Sequence, residues 1–298
     1  MEIPTLYEEF LSYLDLERAY SPLTIIAYRS DGRLFLRYLQ GAQHQPSLEA
    51  VDRNTVRGYI AWLSREGLKA NSIARRLHSL RSFWTYVRDN GYTDRDPFLR
   101  VSVPKRGRPL PVYLSADECT ALLRAAERQS SALFAFRDRA ILSLLVFTGL
   151  RRSELLALRL SSVDLGEGTL RVESGKGRKA RLLPLAHQLL AALRDWVEVR
   201  PECAHDFLFT SQATKPLGRK GLMGTLARAL QRASINGKRI TLHTLRHSFA
   251  CLMLQNGCDL FSLSQLLGHT RLDTTATYLH VNLPDLRRAV AKHPLDGM

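Results

Sequence analysis

In GTLRVESGKGRKARLLPLA, residues 168–186, the runs TLRVE and ARLLPL flank the turn SGKGRK. Short apolar runs on either side of a glycine-bearing turn read as a β-hairpin. The turn superficially resembles a phosphate-binding P-loop, but no glycine precedes Gly175 at the required spacing, and Gly177 follows Lys176 where Ser or Thr is needed. What remains is Lys176 at the tip of a glycine-flanked hairpin. Such a tip is either a solvated basic turn or a finger that enters a nucleic-acid groove.

Most of the chain around this hairpin reads as helix. LYEEFLSYLDLE has apolar residues at 6, 10, 11 and 14, a helical spacing. SPLTIIAYRSDGRLFLRYLQ opens with Ser21 as an N-cap and Pro22 at the first helical position. TVRGYIAWLSREG ends in Gly67, and NSIARRLHSLRSFWTYVRDNG runs from Asn71 to a C-cap at Gly91. These four helices make a bundle over residues 1–100.

The segment VSVPKRGRPLPVYLS, residues 101–115, holds three prolines, a glycine and three basic residues without apolar periodicity. It reads as an extended linker, set at residues 101–114. Beyond it, Ser115 and Glu118 form a capping box at the start of a helix. A long apolar helix runs from Phe134 to Thr148. DFLFTS, residues 206–211, is expected to add a short strand. Further helices are expected around 219–233, 243–256, 259–267, 272–281 and 284–292. The fold class is mainly α with a small β-sheet in the C-terminal domain, residues 115–298.

The chain has 298 residues, enough for two domains with their own cores. Lys and Arg number 43 against 28 Asp and Glu, a net charge of +15. Residues 1–100 hold 14 basic and 12 acidic side chains, so nearly all of the excess lies in the second part. Such an excess points to a polyanion, either nucleic acid or an anionic membrane. A membrane partner is not expected. The longest apolar run, around AILSLLVFTGL at residues 140–150, is far shorter than the ~20 residues of a span. The acidic start MEIPTLYEEF does not read as a secretory signal. Cys119, Cys203, Cys251 and Cys258 form no Cys-x-x-Cys pair and read as small apolar residues in a reducing cytosol.

Four stretches of the second part carry chemistry. In FTGLRRSELLALRL, Thr148-Gly149 ends the apolar helix and Arg151 stands where the next begins, followed by Ser153 and Glu154. That placement suits an anion. ESGKGRKAR supplies Lys176. In HTLRHSFA, His243 and Arg246 share a helix face. His247 would allow a two-histidine zinc pair, but the Glu of His-Glu-x-x-His is missing, so zinc hydrolysis is weakly supported. LLGHTRLDTTATYLHV carries His269 and, nine residues later, Tyr278. Metal-free phosphodiester cleavage needs cations for the non-bridging oxygens, a general acid and a nucleophile. A tyrosine fits a reversible step, because its phenolate, with a reference pKa of about 10, is also a good leaving group. That favours breakage with rejoining over hydrolysis.

Taken in order, Arg151, Lys176, His243-x-x-Arg246, His269 and Tyr278 resemble the tyrosine recombinase/integrase family over essentially the whole chain. The length and short tail are most similar to bacterial Xer-type site-specific recombinases. The resemblance implies a helical-bundle core-binding domain at 1–100, and a tyrosine-recombinase catalytic domain at 115–298 with a C-terminal subunit-exchange tail. It implies that Tyr278 attacks the scissile phosphate and leaves a 3′-phosphotyrosyl link. Arg151 and Arg246 would bind the non-bridging oxygens, Lys176 would protonate the 5′-oxygen, His243 would assist proton transfer and His269 would hydrogen-bond the phosphate. Strand exchange would pass through a Holliday junction in a tetramer.

The implied partners are a double-stranded DNA recombination site, copies of this chain or a partner recombinase in that tetramer, and an accessory factor. No cofactor and no metal are implied, and the location is cytoplasmic, on the nucleoid. Candidate DNA contacts are Arg75, Arg76 and Arg81, which taken alone read more readily as a solvated face over the core. Lys105, Arg106, Arg178 and Lys179 join them. Arg152, Cys251, Leu252 and Phe261 depart from the family's usual residues, which makes a mobile-element role as plausible as chromosome-dimer resolution. The alternatives are a type IB topoisomerase-like relaxation, which the nine-residue gap before Tyr278 disfavours, and a DNA-binding regulator on the same scaffold.

Overall fold

The computed structural model describes residues 2–102, 112–129, 131–173, 180–211 and 215–268. The chain divides into two compact units, residues 1–109 and 110–298.

The first unit packs four helices: α1 (Ile3–Leu16), α2 (Pro22–Gly41), α3 (Arg53–Arg65) and α4 (Ala70–Asp89). Ser21 caps α2 by accepting from the Thr24 backbone N–H, with Pro22 at the first helical position. Asp52 caps α3 through a reciprocal pair with Thr55. The core is aromatic: Tyr7, Phe10, Phe35, Tyr59, Phe83 and Trp84 are all buried and meet edge to face or tilted. Gly32 lets α1 and α2 approach closely, since a Cβ there would lie 2.4 Å from the Tyr7 ring. α4 starts one residue earlier than its Asn71 suggested, and no side chain caps it.

One buried charge organises this bundle. Asp31 is fully buried on α2. It accepts from Arg75 at 2.6 Å, Arg76 at 2.7 Å and Ser79 at 2.9 Å, all on α4. A buried carboxylate is tolerated only when paired and hydrogen-bonded in this way. Arg81 donates to the Val101 carbonyl at 2.6 Å. All three arginines thus have partners within the bundle, and half of the Arg75 side chain stays exposed.

The second unit is built around α6 (Ala132–Thr148), which is buried along most of its length and packs against α5 (Ala116–Glu127), α8 (His187–Val199) and α10 (Leu242–Gln255), with Arg137 and Asp138 paired to each other within it. α7 (Arg152–Ala157) follows α6, and α9 (Arg219–Arg232) and α11 (Leu260–Leu267) complete the described helices. The Ser115–Glu118 capping box is present at α5. A three-stranded antiparallel sheet joins β1 (Val163–Asp164), β2 (Thr169–Val172) and β3 (Arg181–Pro184) in that order. In the β2–β3 hairpin, Leu170 faces Leu183 and Val172 faces Arg181. Leu170, Val172 and Leu183 are buried. The turn bearing Lys176 lies outside the described residues, as do the helices expected at 272–281 and 284–292.

Two expectations change. Residues 206–211 form no strand; Phe207 and Thr210 make only isolated bridges, to Arg159 and Pro216. Side chains also bond this segment. The Trp196 indole N–H donates to the Leu208 carbonyl, and Arg137 donates to the carbonyls of Thr210 and Ser211. The backbone of this segment pairs with two different neighbours, Leu208 N–H with the Leu158 carbonyl and the Phe209 carbonyl with Leu217 N–H, so no continuous ladder forms. Conversely, α8 and β1 were not anticipated. α8 has Ala186 at its N-cap and no side-chain cap, so the usual start signal is missing. Its buried Leu189, Ala192, Leu193 and Trp196 nevertheless follow helical spacing. No helix among the described residues is long and apolar enough to cross a membrane.

Candidate active site

The site begins where α6 stops. Gly149 ends that helix at φ 59°, in the left-handed region that favours glycine. A Cβ at this position would also lie 2.6 Å from the Phe249 ring of α10. The chain is thus turned tightly through buried Leu150 to place Arg151 at the N-cap of α7. The cap is supplied by Glu154. One Glu154 oxygen accepts the Arg151 backbone N–H at 2.8 Å, and the other accepts its guanidinium at 2.8 Å.

A second arginine arrives from α10. Thr241 and Thr244 form a capping box at its start. The following turn leaves His243 exposed and drives Arg246 inward, where it is 3% exposed. Arg246 donates to the Gly149 carbonyl and the Leu267 carbonyl, both at 2.7 Å. Arg151 reaches the same end of α11, donating to Leu267 at 3.3 Å and Gly268 at 3.4 Å. The last carbonyls of a helix have no partner within it and carry partial negative charge. Here they hold two cationic side chains in fixed positions.

Arg181, on β3, closes the set. It donates from Nε to the Leu266 carbonyl at 3.0 Å and from both terminal nitrogens to Glu154 at 3.0 Å. Glu154 is buried between Arg151 and Arg181. Burial alone would raise its carboxyl pKa. The hydrogen bonds from Arg181 and from the Arg151 backbone outweigh that and hold it at about 2. It is therefore a permanent anion that fixes Arg151 without a proton of its own to give.

Leu150, Arg151, Ser153, Thr241, His243 and Arg246 line one cleft of about 470 Å³, with Arg152, Arg219 and Met223 on its walls. Three of the six predicted catalytic residues, Arg151, His243 and Arg246, are thus brought together. Lys176, His269 and Tyr278 lie outside the described residues, as do Lys105, Arg106, Arg178 and Lys179. Glu154, Arg181 and Arg219 were not anticipated. The signal for Glu154 was its position three residues after Arg151; Arg181 and Arg219 carried none that separates them from the chain's other arginines. His243 and His247 do not form a metal site with a third ligand. His247 instead lies beside the Cys251 sulfur and the Tyr113 ring. Among the described residues, no three His, Cys, Asp or Glu side chains gather to hold a metal.

Two guanidinium groups locked by backbone carbonyls, an exposed imidazole beside them and further arginines on the walls make a cleft for a phosphate diester. Fold and cleft together define the class of enzymes that breaks and rejoins DNA strands. The chain belongs to the phage integrase family: that family's model matches residues 112–283, and the phage integrase N-terminal SAM-like domain matches residues 7–91. It is 36% identical over 282 residues to the tyrosine recombinase XerD of Listeria monocytogenes serotype 4b (strain F2365), covering 93% of this chain and 94% of that one. Among solved structures, it aligns with the XerA recombinase at 30% identity and a TM-score of 0.55, covering 98% and 99% of the two chains. It also shares the fold of the Tn1549 transposon integrase in complex with a circular intermediate DNA, at 18% identity and a TM-score of 0.82, again covering 98% and 99%.

Proposed function

We propose that this chain carries out site-specific recombination, cutting each DNA strand with Tyr278 and rejoining it through a 3′-phosphotyrosyl link and a Holliday junction. The observation that carries this reading is the convergence of Arg151, Arg246 and His243 in one cleft, at the end of α11. His269 follows Gly268 directly, and Tyr278 lies nine residues further along.

In this mechanism, Arg151 and Arg246 bind the two non-bridging oxygens of the scissile phosphate. Their carbonyl and Glu154 contacts orient them before DNA arrives, so little reorganisation accompanies the build-up of charge in the transition state. His243, at the mouth of the cleft, takes up the phenolic proton as Tyr278 attacks phosphorus. Lys176, from the hairpin turn, delivers a proton to the departing 5′-oxygen. His269 hydrogen-bonds the phosphate. The phosphotyrosyl ester retains the energy of the broken bond, so a 5′-hydroxyl from another strand reverses the step without a nucleotide cofactor.

The helical residues 1–100 act as the core-binding domain, with 101–114 as linker and 115–298 as the catalytic domain. Arg75, Arg76, Arg81, Lys105, Arg106, Arg178 and Lys179 contribute to the DNA-facing charge. Four subunits act together on two sites, with the tail after residue 281 linking neighbours. The assembly works at the nucleoid.

The test is recombination itself. Two duplexes tiled from DNA flanking the gene are incubated with the protein, and the products are resolved for four-way junctions and exchanged strands. Junctions and recombinants without added metal or ATP support the reading. Relaxation of supercoiled DNA with no exchange would move the assignment to a topoisomerase.

A further inference from the structure

We propose that Arg181 is a positioning residue for strand cleavage, joining the strand that leads from the Lys176 turn to Arg151 and to the chain just before His269. The inference rests on the recombinase reading and deepens it. Four contacts carry it. The two terminal nitrogens of Arg181 grip both oxygens of Glu154, each at 3.0 Å, a bidentate pair of fixed orientation. Its Nε donates to the Leu266 carbonyl at 3.0 Å. Its stem begins on β3, paired with Val172 of β2, so the guanidinium is anchored where the hairpin strands begin to lead to the turn. Only 12% of the side chain is exposed.

The surrounding residues are shaped to receive it. Gly268 sits at φ 62°, and a Cβ there would lie 2.8 Å from an Arg181 terminal nitrogen. Glycine at this position suits the left-handed backbone and leaves room for the guanidinium where it lies. The end of α11 offers three successive carbonyls, and three arginines divide them: Arg181 takes Leu266, Arg246 takes Leu267, and Arg151 shares Leu267 and reaches Gly268. Arg151 and Arg246 line the cleft, whereas Arg181 does not. It acts through Glu154. With Arg181 in place, the Glu154 charge is shared between two cations, which leaves Arg151 able to face a phosphate. Without it, the buried carboxylate has Arg151 as its sole guanidinium partner among the described contacts.

Lysine cannot reproduce this arrangement, because an ammonium is a point donor and cannot grip two oxygens and a carbonyl in one plane. Arg181→Lys and Arg181→Met are therefore compared with wild type in the full chain. The substrate is a nicked duplex that traps the covalent adduct, tiled from DNA flanking the gene. Duplex binding, melting temperature and single-turnover adduct formation are measured across pH. The expected result is duplex binding within about threefold of wild type, with adduct formation slowed on the order of tenfold to a hundredfold, as misplacement of a catalytic group costs. In Arg181→Met, the Glu154 carboxyl loses its strongest lowering contact, so its pKa moves up. Adduct formation then acquires an acid limb at higher pH than in wild type. Adding Glu154→Gln removes that limb.

A packing role alone would slow all pH values equally and lower the melting temperature; that result overturns the inference. So does Arg181→Lys forming adduct at the wild-type rate and pH profile, and this variant decides the matter if Arg181→Met does not fold. Wild type that binds every duplex but never forms an adduct overturns the recombinase reading itself, and this inference with it.

Discussion

Arg246 has two duties that are separable by experiment. Its guanidinium is buried and satisfies the carbonyls of Gly149 and Leu267. Arg246→Ala would take this donor from both carbonyls, and at Gly149, where Arg151 does not substitute as it does at Leu267, the cost is about 1–3 kcal/mol. The variant is expected to lose both strand cleavage and several degrees of melting temperature. A variant at full stability would show that Arg246 is held for the phosphate alone. At this scale, much of the site was legible. Arg151, His243 and Arg246 announced themselves by residue type at helix starts and by the three-residue spacing that shares a face. The Glu154–Arg181 pair did not, because 27 residues separate its members and no local pattern records their meeting. The same holds for Arg75 and Arg76. They looked like free surface charge until Asp31, more than 40 residues earlier, was found buried against them.

Elements were readable where the backbone carries its own punctuation. Ser21, Ser115 and Gly149 each mark a boundary that the structure keeps. α8 lacks such a mark, and only its apolar spacing could have revealed it. Residues 206–211 show the opposite error: strand-like composition whose backbone pairs briefly with two separate neighbours and extends along neither. The α6–α7 junction is the element on which the site depends most. Gly149→Ala forces a side chain into the left-handed region and into the Phe249 ring. Such backbone strain costs of order 1–3 kcal/mol. Chemical denaturation should show at least that loss, together with slower cleavage as Arg151 shifts. Unchanged stability would mean that the junction relaxes freely and does not hold Arg151.

Over the whole molecule, the hairpin placed a small sheet in an otherwise helical chain, and the structure bears out that class. The net charge of +15 is the global feature that composition alone disclosed. If it serves DNA, affinity for a duplex should fall steeply and linearly on a logarithmic plot against salt, by roughly a thousandfold or more between 50 and 200 mM if at least six phosphates are contacted. Binding measured by fluorescence anisotropy at several salt concentrations checks this; a flat profile would contradict a phosphate-led interface. Salt dependence does not distinguish binding from strand transfer, and the central claim is chemical. The most direct measurement is therefore the SDS-resistant protein–DNA adduct formed on a nicked trapping duplex by wild type and by Tyr278→Phe. The account predicts an adduct with wild type and none with Tyr278→Phe, while both bind the duplex equally. Equal adducts from the two proteins would place the nucleophile on another residue and contradict it.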